Sequence, residues 1–323
     1  MKAIVYRRYG PPDVLKLEEI EKPTSGSDEI FIRVRAASLN PYDWHFMRGT
    51  PYFLRLMAGL GKPKYTRIGA DVAGQVEAVG KNVTRFKAGD AVFGACRGAF
   101  AEYACAGESK VVLKPEEVTF EQAACIPIAG LTALQSLRDK GHIKAGQKVL
   151  INGASGGVGT FAVQIAKNFG ADVTGVCSAR NVEMVRSIGA QSVIDYTQQD
   201  FTNNEKQYDL IIDCVGNHSL LECMRSLNSK GILVMAGGEA GRWMVGAMGR
   251  AMVAPILSRL ANKKVAVILA RLNKEDLTAL GELVAAGKVT PVVDRRYRLR
   301  EVPEAMRYLE EGHARGKVVI SVE

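Results

Sequence analysis

The sequence predicts an α/β fold: a parallel sheet covered by helices on both faces, preceded by a β-rich segment. Three observations carry this expectation. From about residue 121 to 290, short apolar runs alternate regularly with helical patterns. Residues 1–122 read mostly as strands and turns. Between residues 147 and 159 a glycine cluster joins a buried strand to a helix.

In chain order, the segment 29–35 places Ile30, Ile32 and Val34 on one face of a half-buried strand. Residues 68–79, 90–94 and 111–113 are further strands, set apart by Gly, Pro and Lys-Asn-Val turns. The loop 40–49 and the segment 52–64 follow the first of these. Strands are then expected at 148–152, 172–177, 192–195, 209–215, 231–236 and 264–270. Helices are expected at 130–139, 158–169, 181–188, 218–227, 245–260 and 274–286. Residues 291–323 give an extended piece, a helix around 301–311 and a last strand at 317–322. There is no internal repeat and no low-complexity segment.

The glycine cluster carries the first functional signal. Val149-Leu150-Ile151 is the strand and residues 161–169 are the helix. Gly153, Ser155, Gly156, Gly157 and Val158 form the turn between them. Such a turn aims unpaired backbone N–H groups and the positive end of a helix dipole at one point, a receptor for a pyrophosphate. Gly156 and Gly157 let the backbone approach the phosphates, and Gly159 lets the helix pack closely on the strand. The pattern predicts a Rossmann-type dinucleotide site.

The next strand, 172–177, runs into Ser178-Ala-Arg180 with no acid at its tip. A carboxylate there would repel a 2′-phosphate, whereas a hydroxyl and a guanidinium would bind it. NADPH is therefore expected over NADH. Arg180 also reads as a solvated residue at a helix start, and Glu183 one turn on weakens the case. Cys214-Val215-Gly216 and Ala236-Gly237-Gly238 end predicted parallel strands, where ligands meet such sheets; their glycines also read as plain turn residues. Lys317 reads either as a contact to the adenosine phosphate or as a solvated strand-start lysine.

Composition sets the limits. The chain has 323 residues, long enough for two domains, with 47% hydrophobic and 24% charged residues. Its net charge of +9 is spread along the sequence, with no basic block interleaved with aromatics, so nucleic acid is not an expected partner. No uncharged apolar run reaches a membrane-spanning length; Arg250 and Arg259 interrupt the nearest candidate, 243–260. The six cysteines, at 96, 105, 125, 177, 214 and 223, are scattered and suit a reducing cytoplasm.

The layout resembles the medium-chain dehydrogenase/reductase superfamily, in its zinc-independent quinone oxidoreductase branch. The resemblance spans essentially the whole chain. It rests on residues 40–49 (Asn-Pro-Tyr-Asp-Trp-His-Phe-Met-Arg-Gly), 68–79, 83–92, Gly130-Leu-Thr-Ala133, the turn 154–159 and Gly316-Lys-Val-Val-Ile320. It implies a GroES-like substrate domain of residues 1–122 plus 291–323, and a Rossmann domain of residues 123–290. It implies that Asn40 lies near the nicotinamide ribose or carboxamide, and that Asp43 matches an acidic position of the family. His45 stands where related quinone reductases often have Tyr, which leaves the proton donor open between Tyr42, His45 and other polar residues of 40–64. Asp43 reads equally as a turn-stabilising residue. Thr132 resembles a threonine that meets the cofactor, and Tyr196 a tyrosine near the 2′-phosphate. The apolar edge strand 264–270 implies a homodimer. The Met-rich segment 241–257 reads as an amphipathic helix buried in a dimer or on the sheet, as a cover over the acceptor, or as a membrane-surface contact.

Zinc dehydrogenases share this architecture, but residues 40–49 and 69–74 lack the Cys and the Gly-His-Glu of that branch, so no metal is expected. Without a Lewis acid, hydride delivery to a quinone or an α,β-unsaturated carbonyl is the easier chemistry, because conjugation spreads the developing charge. The expected function is NADPH-dependent reduction of quinones or activated alkenes. The alternative is a nucleotide-binding regulatory or structural protein without turnover.

Overall fold

The computed structural model describes residues 1–203, 206–237, 258 and 263–322. The chain falls into two compact units, one of residues 1–131, 271–287 and 291–323, the other of residues 132–270 and 288–290.

The first unit is built on strands β1 (Lys2–Val5), β2 (Lys16–Glu19), β3 (Glu29–Ser38), β4 (Asp71–Val79), β5 (Ala91–Ala95), β6 (Tyr103–Gly107) and β7 (Val111–Leu113). The second carries β8 (Lys148–Asn152), β9 (Asp172–Cys177), β10 (Ser192–Asp195), β11 (Tyr208–Asp213), β12 (Leu227–Met235) and β13 (Lys264–Val267). The chain then returns to the first unit with β14 (Val293–Arg298) and β15 (Lys317–Ser321).

In the first unit the long strand β3 is the hub. The sheet runs β14-β15-β3-β4-β5-β7, and β6 also pairs with β3. Alternation along β3 sends Ile30, Ile32 and Val34 into a core that they share with Val72, Phe100, Val302, Met306 and Ile320. The pattern around 29–35 therefore held, and the strand continues three residues further to Ser38. The strand-like start of the chain is β1; strands β2 and β6 were not expected from pattern, and both are short, β2 having no fully buried residue.

Residues 40–49 form a helix, α1 (Pro41–Arg48), rather than a loop. Pro41 presets the first helical φ, Asp43 accepts a hydrogen bond from the Asn40 N–H at 2.8 Å, and Gly49 ends the helix at φ 60°. A second short helix, α2 (Leu54–Ala58), follows.

The division between units also differs from the pattern-based boundary at 122/123. It falls at Leu131/Thr132. Helix α3 (Phe120–Cys125) buries Ala123, Ala124 and Cys125 in the first unit. Residues 274–285 were expected in the nucleotide domain but belong to the first unit. Their Leu280 lies so close to Gly130 that a Cβ there would meet it at 3.2 Å, and Gly281 stands likewise against Phe93.

In the second unit the sheet is fully parallel, in the order β10-β9-β8-β11-β12-β13. The order reverses between β8 and β11, which is the doubly wound Rossmann arrangement with its ligand crevice at that switch point. Leu150, Val176, Ile211 and Leu233 form the core of one face with Phe201 and Tyr208. The expected helix 245–260 lies almost wholly outside the described residues, as does the Met-rich segment 241–257.

Candidate active site

The second unit collects its predicted nucleotide contacts at the carboxyl ends of adjacent strands. The turn after β8 opens a helix, α4 (Gly157–Asn168), whose N-cap is Gly156 and carries no side-chain cap. The first-turn N–H groups of a helix have no intrahelical acceptor, so this end suits an anion. Gly153 sits at φ 83°, in the left-handed region that favours glycine. A Cβ on Gly159 would lie 2.0 Å from the Gly153 carbonyl oxygen, so only glycine fits there. Gly156 faces much more open space, its nearest contact 3.4 Å away. Ser155, Gly156, Gly157 and Val158 are all half-buried. The cradle therefore has the shape and the donors that a pyridine-nucleotide diphosphate needs.

Ser178 and Arg180 follow β9, the neighbour of β8, with Ser178 half-buried and Arg180 exposed. Tyr196, just after β10, is 55% exposed. On the other side of β8, the turn 214–216 is organised by Asp213, a buried residue that pattern alone had not singled out. Its Oδ1 accepts from the N–H groups of Val215 (3.1 Å) and Gly216 (2.8 Å) and from Asn152 Nδ2 (2.9 Å). The N–H groups of Ala236 and Gly237 bond to the Asp213 carbonyl. A Cβ on Gly237 would strike the Cys214 carbonyl oxygen at 2.2 Å. Gly238 lies outside the described residues. Thr132 is buried on the helix Pro127–Gln135.

In the first unit Asn40 caps helix α1, which carries Tyr42, Asp43 and His45, and a buried polar cluster surrounds Asn40. The Lys317 ammonium donates to Asn40 Oδ1 (2.6 Å) and the Leu39 carbonyl (2.9 Å), and lies 3.3 Å from Asp71 Oδ2. Asn40 Nδ2 donates to the same Asp71 oxygen at 2.8 Å. The Ser38 hydroxyl is within 2.9 Å of it, and the Ile128 N–H reaches Asp71 Oδ1 at 3.1 Å. Lys317 is 3% exposed and Asp71 0%. This corrects the reading of Lys317 as an adenosine-phosphate contact: its three N–H donors already face oxygens inside the first unit. Asp71 and Ser38 were missed. The available signal was a carboxylate at the head of an apolar strand, which must be paired to be buried.

Asp43 is fully buried, and burial pushes its pKa up to about 7 despite the Asn40 N–H that favours the anion. The His45 imidazole is half-buried, with Nδ1 2.9 Å from the Thr50 carbonyl oxygen, and burial moves its pKa down. Tyr42 is 47% exposed, and its phenol pKa is raised, by burial first and by Asp43 second.

Residues 188–320 match the zinc-binding dehydrogenase family, and residues 26–116 the alcohol dehydrogenase GroES-like domain. The chain is 35% identical to a chloroplast envelope quinone oxidoreductase homolog of Arabidopsis thaliana, over 99% of this chain and 98% of that protein. It belongs to the medium-chain dehydrogenase/reductase superfamily, in its quinone oxidoreductase-like branch. It is an oxidoreductase. It is also 34% identical to a chloroplastic NADPH-dependent alkenal/one oxidoreductase of the same plant, over 99% of this chain and 79% of the other. The solved structure of Escherichia coli quinone oxidoreductase complexed with NADPH superposes with a TM-score of 0.84 at 26% identity, covering 99% of this chain and 100% of that one.

The matched family's description implies zinc, and the donor set does not fit it. Among the described residues no cluster of three or more His, Cys, Asp or Glu could hold a metal. Burial pushes the Cys96 thiol pKa up to about 12, far from a thiolate ligand, and the Asp71 carboxylate is spent on Lys317, Asn40 and Ile128. Among the described residues no helix is long and apolar enough to cross a membrane.

Proposed function

We propose that this chain is an NADPH-dependent reductase that transfers hydride to quinones or to activated alkenes such as enones and enals. The observation that carries the reading is the uncapped glycine turn with Ser178 and Arg180 at the end of the adjacent strand. Backbone N–H groups around 155–158 seat the diphosphate. Ser178 and Arg180 meet the 2′-phosphate, with Tyr196 beside them. Val215, Gly216, Ala236 and Gly237 border the nucleotide at the switch point. Asn40, its amide held at both ends, orients the nicotinamide end.

When bound, NADPH supplies the hydride. Tyr42 donates the balancing proton: a phenol is protonated at neutral pH, burial raises its pKa further, and the residue is partly exposed. The names of the two plant relatives support both acceptor classes. The reductase works as a homodimer in this reading, through the outermost strand β13 and the residues just after it, where Val267 and Leu269 are 47% and 88% exposed. A cytoplasmic site of action goes with its six free cysteines.

The test is loss of NADPH absorbance with purified protein and a broad panel of quinones and enones. Turnover above blank supports the reading. Tight NADPH binding with no oxidation across the panel favours a nucleotide-binding protein without turnover. Cofactor choice is tested separately. Replacing both Ser178 and Arg180 by Ala weakens NADPH about 10–100-fold and NADH by less than about threefold. An equal loss for both nucleotides removes the 2′-phosphate argument.

A further inference from the structure

Two serines at the nucleotide end of the second unit share one buried partner. Asn181 is 4% exposed, and its Nδ2 lies 3.1 Å from Ser155 Oγ and 3.1 Å from Ser178 Oγ. Ser155 belongs to the turn after β8 and Ser178 follows β9, so one amide ties together two loops from neighbouring strands. The frame around it is fixed by backbone. The N–H groups of Gly153 and Ala154 both bond to the Val176 carbonyl, at 3.1 and 2.9 Å, and the Asn181 N–H bonds to the Ser178 carbonyl at 2.9 Å. The amide oxygen of Asn181 is buried and has no hydrogen-bond partner among the described residues.

The chemistry of the amide gives these contacts a direction. A carboxamide nitrogen has two hydrogens and accepts nothing, so it donates to both serine oxygens. A hydroxyl that accepts such a bond keeps its own hydrogen for a different acceptor. Both hydroxyls are thereby set as donors, beside the exposed guanidinium-bearing Arg180. A phosphate dianion accepts only and gains from every preset donor. A ribose hydroxyl donates as readily as it accepts and gains little.

We infer that Asn181 is a positioning residue: it turns the Ser155 and Ser178 hydroxyls outward as donors and so sets the preference for a nucleotide carrying a 2′-phosphate. The inference rests on the NADPH reading above and names a residue that reading does not use.

Calorimetry with NADPH and with NADH on the full chain tests it, using Asn181→Ala, Asn181→Asp, the pair Ser155→Ala with Ser178→Ala, and all three alanines together. Asn181→Ala weakens NADPH about 5–10-fold and NADH by less than about twofold. Asn181→Asp weakens NADPH further, because a carboxylate accepts from the serines, turns their hydrogens inward and adds a negative charge. In the two-serine background, Asn181→Ala costs little more. Asn181→Asp matching the wild type would mean that the amide oxygen faces the serines, and it overturns the inference. So does an equal loss for both nucleotides, or a full Asn181→Ala effect without the serines. If Asn181→Ala does not fold, the two-serine variant reads the same contact from the other side, and an NADPH loss no larger than its NADH loss overturns the inference equally. A wild-type protein that binds neither nucleotide removes the reductase reading itself, before any variant is compared.

Discussion

The nucleotide turn of the second unit is made of backbone, and the Asn40 cluster of the first unit is made of side chains. Around 153–159 the decisive facts are the absence of Cβ atoms and a line of N–H groups, all within seven consecutive positions. Around Asn40 the decisive facts are contacts between residues 277 positions apart, Asn40 and Lys317, and 31 apart, Asn40 and Asp71. A site of the first kind is ruined by one added methyl group in the wrong place and is indifferent to most side chains. A site of the second kind is ruined by the loss of either partner.

The largest effect falls on the backbone site. Gly159→Ala puts a Cβ 2.0 Å from the Gly153 carbonyl oxygen, and neither backbone segment can yield cheaply. The expected outcome is a loss of about 4 kcal/mol of stability and no measurable NADPH binding. Gly156→Ala, with its nearest contact at 3.4 Å, is the control. It melts like the wild type and still weakens NADPH, because its methyl group stands where the phosphate must approach. Equal melting points for the two variants would break the contrast.

Lys317→Met is the matching variant of the side-chain site. It leaves Asp71 as a buried charge with fewer donors, at a cost of about 3–5 kcal/mol in chemical denaturation. Asp71→Asn costs a similar amount, and the double variant costs less than the sum, since neither charge is then left alone. A loss below about 1 kcal/mol for Lys317→Met would show that the cluster is not what holds β15 to β3 and β4.

The same contrast explains what could be read from the sequence. The glycine turn, the alternation of strands and helices, and the strand-end positions 178, 215, 216, 236 and 237 are local patterns, and local pattern is what a sequence displays. Helix α1 was legible in principle: Asn40-Pro41 followed by an acid at residue 43 and Gly49 is a start and stop signal. A short polar run with weak apolar periodicity hid it. The pairing of Lys317 with Asp71 and Asn40 was not legible, because β15 comes to lie beside β3 only when the C-terminal strand returns to the first unit. The lysine's ordinary surface habit pointed the other way. Helix 274–285 was read correctly as a helix and assigned to the wrong unit, because its pattern shows that it has an apolar face but not which sheet that face meets.

Asp43 tests the cluster through pH. Burial raises its pKa to about 7, well above the value of an unfolded aspartate. Between about pH 4 and 7 the folded state therefore holds a proton that the unfolded state has released. Stability falls as pH rises through that window, by at most about 1.4 kcal/mol per pH unit, and levels off above it. Asp43→Asn keeps an oxygen for the Asn40 N–H and removes the slope. Denaturation midpoints from pH 4 to 8 check this, and parallel curves for variant and wild type would show that the carboxyl is ionised in the fold throughout.

The smallest effect is expected at His45, although it stands on the helix that Asn40 caps and is the residue whose chemistry most suggests a proton donor. Its ring lies against Trp44 with centroids 3.7 Å apart, and Nδ1 reaches the Thr50 carbonyl oxygen at 2.9 Å. Burial lowers its pKa, so at neutral pH the imidazole is uncharged. A carbonyl can only accept, which places the ring hydrogen on Nδ1 and leaves Nε2 with a lone pair and nothing to donate. Tyr42 is free of that restriction: its phenol stays protonated and partly exposed. His45→Gln therefore changes kcat by less than about threefold and leaves the acidic limb of the pH profile in place, while Tyr42→Phe lowers kcat at least about tenfold with little change in the KM for NADPH. The reverse ranking would move the proton-donor role from the phenol to the imidazole, and would require that NADPH or acceptor binding release His45 from Thr50.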